Sequence, residues 1–345
     1  MKILQHIACL GIVSLFSVSS PAVDPVRFYG IGDVPYFLPG DEAKLRTLYR
    51  ALKEDGGQFV MHVGDITDGI SPLTDAALIR VRGLFEESPI PLVYTPADNC
   101  WGDAHRPSMG GYDPLERLAF LRQHFYRNDR YFFGAGMLDV NSQAKTEGSH
   151  REFVENIRFQ VGPVLFVGLH LHNGYTLYSG KDSLKELERR NAALRVWLDD
   201  AFRIAEEQSA MALVLFSQSG VILNRGNSPS VARPGFEDIH DTVVRYALKT
   251  RKPILWVIGG GHSFNVDKPL VLPVRSFQPS NGFEEVPAYR AVYGFAAVEN
   301  LTQVMVPGAE NVQAIRVTYD AAGGMSPFQI EEMFIPANRN VYETR

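Results

Sequence analysis

The order of strand-like and helix-like runs along this chain predicts an α/β protein of two packed β-sheets with helices outside. Three observations predict it. Up to about residue 126, short apolar runs alternate with amphipathic segments, and strand–helix–strand repetition with short links implies parallel strands covered by helices. Beyond residue 150 the pattern changes to a hairpin, a long helix and, at the end, a series of strands. Finally, 345 residues at 45% hydrophobic and 21% charged can bury a core without cross-links, while 30 Gly and 21 Pro mean more turns than a helical bundle needs. This composition excludes a disordered, collagen-like or disulfide-rich chain. A net charge of −5 argues against nonspecific nucleic-acid binding, which needs a positive footprint.

Residues 1–22 read as a secretory signal. Lys2 precedes an apolar run at residues 7–18, and Ser20-Pro21-Ala22 offers small residues where a signal peptidase cuts. The run is too short to span a bilayer as a helix, and an uncleaved anchor is the alternative reading. Export of the chain is therefore expected, periplasmic or secreted, with residues 23–345 as a single domain. No later segment is long and apolar enough to cross a membrane. Cys9 leaves with the signal, so Cys100 remains without a partner for an intrachain disulfide.

The mature chain opens with a buried strand at residues 26–32 (VRFYGIG). Residues 41–55 form a helix with Leu45, Leu48, Tyr49 and Leu52 on one face, Asp41 able to cap the start and Gly56 after the end. A strand at 58–63, a helix at 74–87, a strand at 91–95 and a helix at 112–126 follow. Strands at 157–161 and 164–171 flank Gly162-Pro163 and read as a hairpin. Ser183 followed by Glu186 reads as a capping box opening a helix to about residue 208. Strands at 212–216 and 253–258 enclose a helix at 236–250, and strands at 289–298, 311–319 and 328–335 close the chain. Segments 102–111 and 141–150 read as irregular insertions. Asn300-Leu301-Thr302 is a glycosylation sequon, relevant only in a eukaryotic source.

In open α/β sheets, ligands bind in the crevice beyond the carboxyl ends of strands. Asp33 ends the first strand and Asp65 the second; Asn99 follows the third, and His262 follows a late strand after three glycines. Asp33 and Asp65 are 32 residues apart, and Asp65 and Asn99 are 34 apart, each about one strand–helix–strand unit. A single Asp at a strand end is commonly a turn or cap residue. Four such donors at regular spacing are candidates to gather around one or two divalent cations, because a cation removes the repulsion between close carboxylates.

With Gly64-Asp65-Ile66-Thr67-Asp68-Gly69 matching a GDxxDG block, the chain resembles the calcineurin-like metallophosphoesterases over roughly residues 27–270. The stretch YTPADNCWGDAHRPSMGGYDPLERL at 94–118 is similar to a mainly bacterial branch of that family. The resemblance implies a four-layer α/β/β/α sandwich, two mixed sheets flanked by helices, with a metal centre of Mn, Fe, Zn or Mg ions. It implies a phosphorylated small-molecule or other phosphoester substrate, attacked at phosphorus by a metal-activated hydroxide. Asp33, Asp65, Asn99 and His262 would be metal ligands, Asp65 bridging two ions.

The chain departs from the family at Pro35, Gln218 and Gly260, where ligating histidines are usual, and at Cys100, where the leaving-group acid is usual. These losses imply weaker binding, or one ion in place of two. They also leave open a second reading, a catalytically impaired member that binds a ligand or partner. Cys100 reads either as a replacement acid or soft ligand, or as a small buried residue. Arg106 reads as a phosphate clamp or a solvated loop residue. His170 and His172, two apart in LHLHN, read as replacement nitrogen donors or ordinary strand-end residues. His62 reads as a core residue with a satisfied hydrogen bond.

Overall fold

The apolar run VRFYGI forms β1 (Val26–Ile31), buried at every position except Arg27. A computed structural model describes residues 24–339 apart from 127–129, 147, 173–180, 225–227, 280–288, 310 and 325. The expected signal segment lies outside the described residues. Helix α1 (Asp41–Asp55) buries Leu45, Leu48, Tyr49 and Leu52 and stops at Gly56, whose φ of 77° only glycine adopts freely. Asp41 does not cap it. Gly40 is the N-cap, and the Asp41 carboxylate turns back to accept the backbone N–H groups of Tyr36 (3.0 Å) and Leu38 (3.1 Å). After β2 (Val60–His62), α2 (Asp75–Glu86) is capped by the Thr74 hydroxyl, which accepts Ala77 N–H at 3.1 Å. β3 (Leu92–Tyr94) and α3 (Pro114–Phe125), capped by Asp113, complete the first half.

The second half begins with β4 (Asn141–Ser142), β5 (Ile157–Val161) and β6 (Val164–Gly168). β5 and β6 form the expected hairpin, Val161 opposite Val164. The strand expected to run to Leu171 stops at Gly168. A Cβ there would stand 2.6 Å from the Phe216 ring, and beyond it the chain turns on itself, Leu171 N–H donating to Leu169 O at 2.8 Å. α4 (Lys181–Glu207) is already helical before Ser183, so Ser183 is not its cap; Glu186 instead pairs with Arg190 one turn on, at 2.7 Å. There follow β7 (Ala212–Ser217), β8 (Ile222–Leu223), β9 (Val231–Ala232), α5 (Glu237–Lys249) and β10 (Ile254–Ile258). The chain ends with β11 (Asn265–Asp267), β12 (Val271–Pro279), β13 (Tyr289–Ala297), β14 (Leu301–Met305), β15 (Ala314–Tyr319) and β16 (Phe328–Met333). β11, β12 and β14 were not legible as strands in the sequence.

Two mixed sheets result. One has the order β16-β15-β1-β2-β3, with β1, β2 and β3 parallel; the other has the order β11-β14-β10-β7-β6-β5-β4, with β14, β10, β7 and β6 parallel. Alternation along the second sheet sends its side chains two ways. Val164, Phe166, Val214, Phe216, Leu255 and Val257 face the first sheet. Leu165, Val167, Leu213, Leu215 and Trp256 face α4 and α5. Between the sheets, Phe28 and Phe59 meet Phe159 and Phe166 with ring centroids 4.9–5.6 Å apart. α1 and α2 bury Leu45, Leu48, Leu78 and Val81 in that same cluster. The protein is thus α/β, two mixed sheets flanked by helices. Among the described residues, no helix is long and apolar enough to cross a membrane.

Candidate metal centre

Parallel strands of both sheets end at one rim. There, Asp33 N–H donates to Gly64 O (2.9 Å) and Gly259 N–H to Gln218 O (3.0 Å), tying the loops after β1, β2, β7 and β10 together. Gly64 (φ 102°) permits the approach: a Cβ on it would lie 2.6 Å from that of Ala97 and 3.1 Å from that of Gln218. Six non-glycine residues among those described have positive φ, and three of them are Asp33 (57°), Asp65 (52°) and His262 (57°). Left-handed backbone costs a non-glycine residue roughly 1 kcal/mol or more and clusters at functional sites. Three of the four sequence-predicted donors are held by strained turns.

Asp33 is fully buried. Its Oδ1 accepts the Tyr36 hydroxyl at 3.2 Å, both its oxygens take the Gly260 N–H at 3.0–3.1 Å, and His262 Nε2 lies 3.3 Å from Oδ1. The Tyr36 hydroxyl oxygen is in turn 3.1 Å from His262 Nε2. The hydrogen bond to Asp33 raises the His262 pKa above its usual value. His62 is the core residue expected, its Nε2 2.6 Å from Val34 O; burial lowers its pKa to about 4 and keeps it neutral.

Asp65 accepts the Gln218 amide on Oδ2 (3.1 Å) and the Asn99 backbone N–H on Oδ1 (3.3 Å). The same Asn99 N–H lies 3.2 Å from Asp98 Oδ1, which brings the two carboxyls together. Burial, and then the charges of Asp98 and Asp33, push the Asp65 pKa well up. Burial and the charge of Asp103 push that of Asp98 up to about 6. Asp98 is the residue that sequence reasoning missed. It stood next to Asn99 in the quoted block, but only a 3-10 turn at Asp98–Cys100 turns its side chain, rather than its neighbour's, onto Asp65. The Asn99 amide instead donates to Thr67 O (3.4 Å), beside Gly69. Asp68 caps its own turn, accepting Ile70 and Ser71 N–H at 3.0 and 2.7 Å.

The three expected catalytic groups are held as follows. Cys100 is buried, its sulfur accepting Ala97 N–H at 3.3 Å, and burial together with Asp65 pushes the thiol up to about 12. His170 has both ring nitrogens engaged, Nδ1 with Glu155 (2.8 Å) and Nε2 with Trp101 Nε1–H (3.0 Å). It and His172 sit beyond the end of β6, with their rings on Trp101. Arg106 is half exposed and paired with Asp103 at 2.8 Å.

Two carboxyls gathered on one N–H, Asp65 buried and Asp98 partly buried, repel each other unless a proton or a cation comes between them. Among the described residues, no Lys or Arg forms an ion pair with Asp33, Asp65 or Asp98, and no three His, Cys, Asp or Glu side chains are grouped to hold an ion by themselves. The oxygen donors brought together are the Asp65 and Asp98 carboxyls, while Gln218 turns its amide N–H to Asp65. An oxygen set of this kind fits a hard divalent cation such as Mg²⁺ or Mn²⁺.

No family model and no curated protein matches the chain. Among solved structures it is similar to a dimetal phosphatase from Danio rerio (12% identity, 90% of this chain and 100% of that one, TM-score 0.45). It is similar to GAP50, the anchor in the inner membrane complex of Plasmodium (11%, 90% and 89%, 0.43). It is also similar to the purple acid phosphatase PPD1 from yellow lupin, Lupinus luteus, seeds (11%, 90% and 53%, 0.46). At these identities and TM-scores the likenesses assign no family, substrate or metal to this chain.

Proposed function

We propose that the chain is an exported hydrolase of phosphoesters that depends on a divalent cation held at Asp65 and Asp98. The observation that carries this is the approach of those two carboxyls, Asp65 buried and Asp98 partly buried, to one Asn99 N–H, with Asp33 fully buried and, among the described residues, no Lys or Arg paired to any of the three. The GDxxDG block and the TPADNCW and GGYDPLERL stretches support a phosphoester as substrate. A bound cation supplies Lewis acidity and neutralises charge on phosphoryl oxygens. The chain's own groups do the rest. Gln218 and the Asn99 N–H fix the Asp65 carboxylate. His262, 46% exposed, presents an imidazole at the mouth, steadied by Asp33 and Tyr36. Arg106, held by Asp103, offers a guanidinium to a phosphate oxygen.

The test is hydrolysis of phosphomonoesters and phosphodiesters with Mn²⁺, Mg²⁺, Zn²⁺ or Fe²⁺ added to the metal-free chain. Turnover with at least one cation is expected. Asp65→Asn removes several kcal/mol of transition-state stabilisation, on the order of a 10³-fold loss in kcat. A folded wild-type chain inactive with every cation overturns the reading. It would leave the alternative that Pro35, Gly260 and the protein donors on Asp33 favour, a ligand-binding protein on the same scaffold.

A further inference from the structure

The two sides of the rim are built differently. On one side, Asp65 Oδ1 and Asp98 Oδ1 share the Asn99 N–H at 3.3 and 3.2 Å, two carboxylates between which a cation can sit. On the other side, Asp33 is enclosed. A Cβ at Gly259 would lie 2.9 Å from Asp33 Oδ2, and one at Gly308 would lie 2.4 Å from Asp33 Cβ, so main chain stands directly against the carboxylate. Tyr36 closes the remaining face, its hydroxyl within hydrogen-bond reach of both Asp33 Oδ1 (3.2 Å) and His262 Nε2 (3.1 Å). A phenol has one proton to give. If that proton goes to Asp33, then the Tyr36 hydroxyl oxygen accepts from His262 Nε2–H, and the nitrogen lone pair that a cation would need is absent from that ring position.

Tyr36 is itself fixed. Its backbone N–H is held by the Asp41 carboxylate at 3.0 Å, its ring lies edge-on to His262 with centroids 5.7 Å apart, and it is 6% exposed. The two residues that hold it here, Asp41 and His262, are far apart in the chain.

We propose that Tyr36 fills the place of one cation, so that the chain takes a single divalent ion at Asp65 and Asp98, with Asp33, Tyr36 and His262 forming a protein-only hydrogen-bonded side of the site. This deepens the reading above and rests on its assignment of a cation to Asp65 and Asp98.

Titrating Mn²⁺ into the chelator-treated chain by calorimetry, with electron paramagnetic resonance of the loaded protein, tests it without any activity measurement. The wild type should bind one ion and give the signal of an isolated Mn²⁺. Tyr36→Phe, which deletes only the hydroxyl, should keep the first ion within about threefold of wild-type affinity and admit a second, with a spin-coupled signal, because Asp33 and His262 lose their shared partner. Asp98→Asn should weaken the first ion at least 100-fold. Two ions in the wild type, or one in the wild type and still one in a folded Tyr36→Phe, overturns the inference and leaves the proposed function standing. No ion in the wild type overturns both.

Discussion

Glu155 is a fully buried carboxylate that answers to several groups at once. Arg122 reaches it with three hydrogen bonds of 2.6–3.2 Å, and His170 Nδ1 lies at 2.8 Å. Burial alone would raise its pKa, but the charge of Arg122 and the bond from His170 outweigh that and hold it down to about 2. Through His170 it steadies Trp101, which closes the turn carrying Asp98, its N–H on Asp98 O at 3.2 Å. An unfolded Glu titrates near 4.3, so between that value and about 2 the unfolded chain binds the extra proton. Stability from this group is therefore complete at neutral pH and is lost as pH falls through that window. Glu155→Gln strands Arg122 and should cost about 3 kcal/mol at pH 7. The deficit should shrink toward pH 2, read as melting temperature against pH for both chains. A deficit independent of pH would contradict the assignment. The same geometry decides what His170 does: a ring with both nitrogens bonded is a support for Trp101.

At the scale of the element, α5 shows how a helix end is finished from elsewhere in the chain. The last carbonyls of a helix lack intrahelical partners. Here Asn300, just before β14, is buried, and its amide Nδ2 donates to Ala247 O (2.9 Å), Thr250 O (3.1 Å) and Lys252 O (3.3 Å). The sequon asparagine is thus a structural cap with no room for a glycan in the folded state. Asn300→Ala leaves those carbonyls short of a donor and should lower stability by about 1–2 kcal/mol, measured by urea unfolding. An exposed sequon would show no loss. The turn before α1 follows the same logic in reverse. Asp41 gathers the N–H groups of Tyr36 and Leu38, so the helix start that looked like a cap in the sequence serves the site loop.

Taken whole, the molecule holds its candidate site between two sheets that share one core. Asp65 and Asp98 come from loops of the β1-β2-β3 sheet, and Gln218 comes from the β7 end of the other. Their distance is set by the layer of side chains between the sheets, above all Phe28, Phe59, Phe159 and Phe166. Phe59→Ala should cost about 3–5 kcal/mol. It should also weaken Mn²⁺ binding, because the two loops are no longer held at one spacing. Calorimetry on the folded variant separates the two effects, and an unchanged affinity would show that the rim is held by its own hydrogen bonds alone.

Local periodicity carried most of the fold. The helices at α1, α2, α3 and α5 and the hairpin of β5 and β6 were legible because a turn of helix or a two-residue alternation is written in neighbouring residues. Spacing and flanking glycines picked out Asp33, Asp65 and His262, and the structure brings Asp33 and His262 into contact at 3.3 Å. The short strand β14 was hidden, since its partners β10 and β11 are defined only by the completed sheet. The choice between Asp98 and Asn99 was hidden as well, because adjacent residues differ in direction and a single turn decides which one faces Asp65. The sequence left His170 open between a nitrogen donor and an ordinary strand-end residue because its ring partners, Glu155 and Trp101, lie 15 and 69 residues away. The sequence by itself determined most of the strands and helices, and that acidic and imidazole groups would stand at strand ends. Only the tertiary structure decided which of them meet and which are already satisfied, because hydrogen bonds between side chains distant in sequence depend on packing that no local pattern encodes.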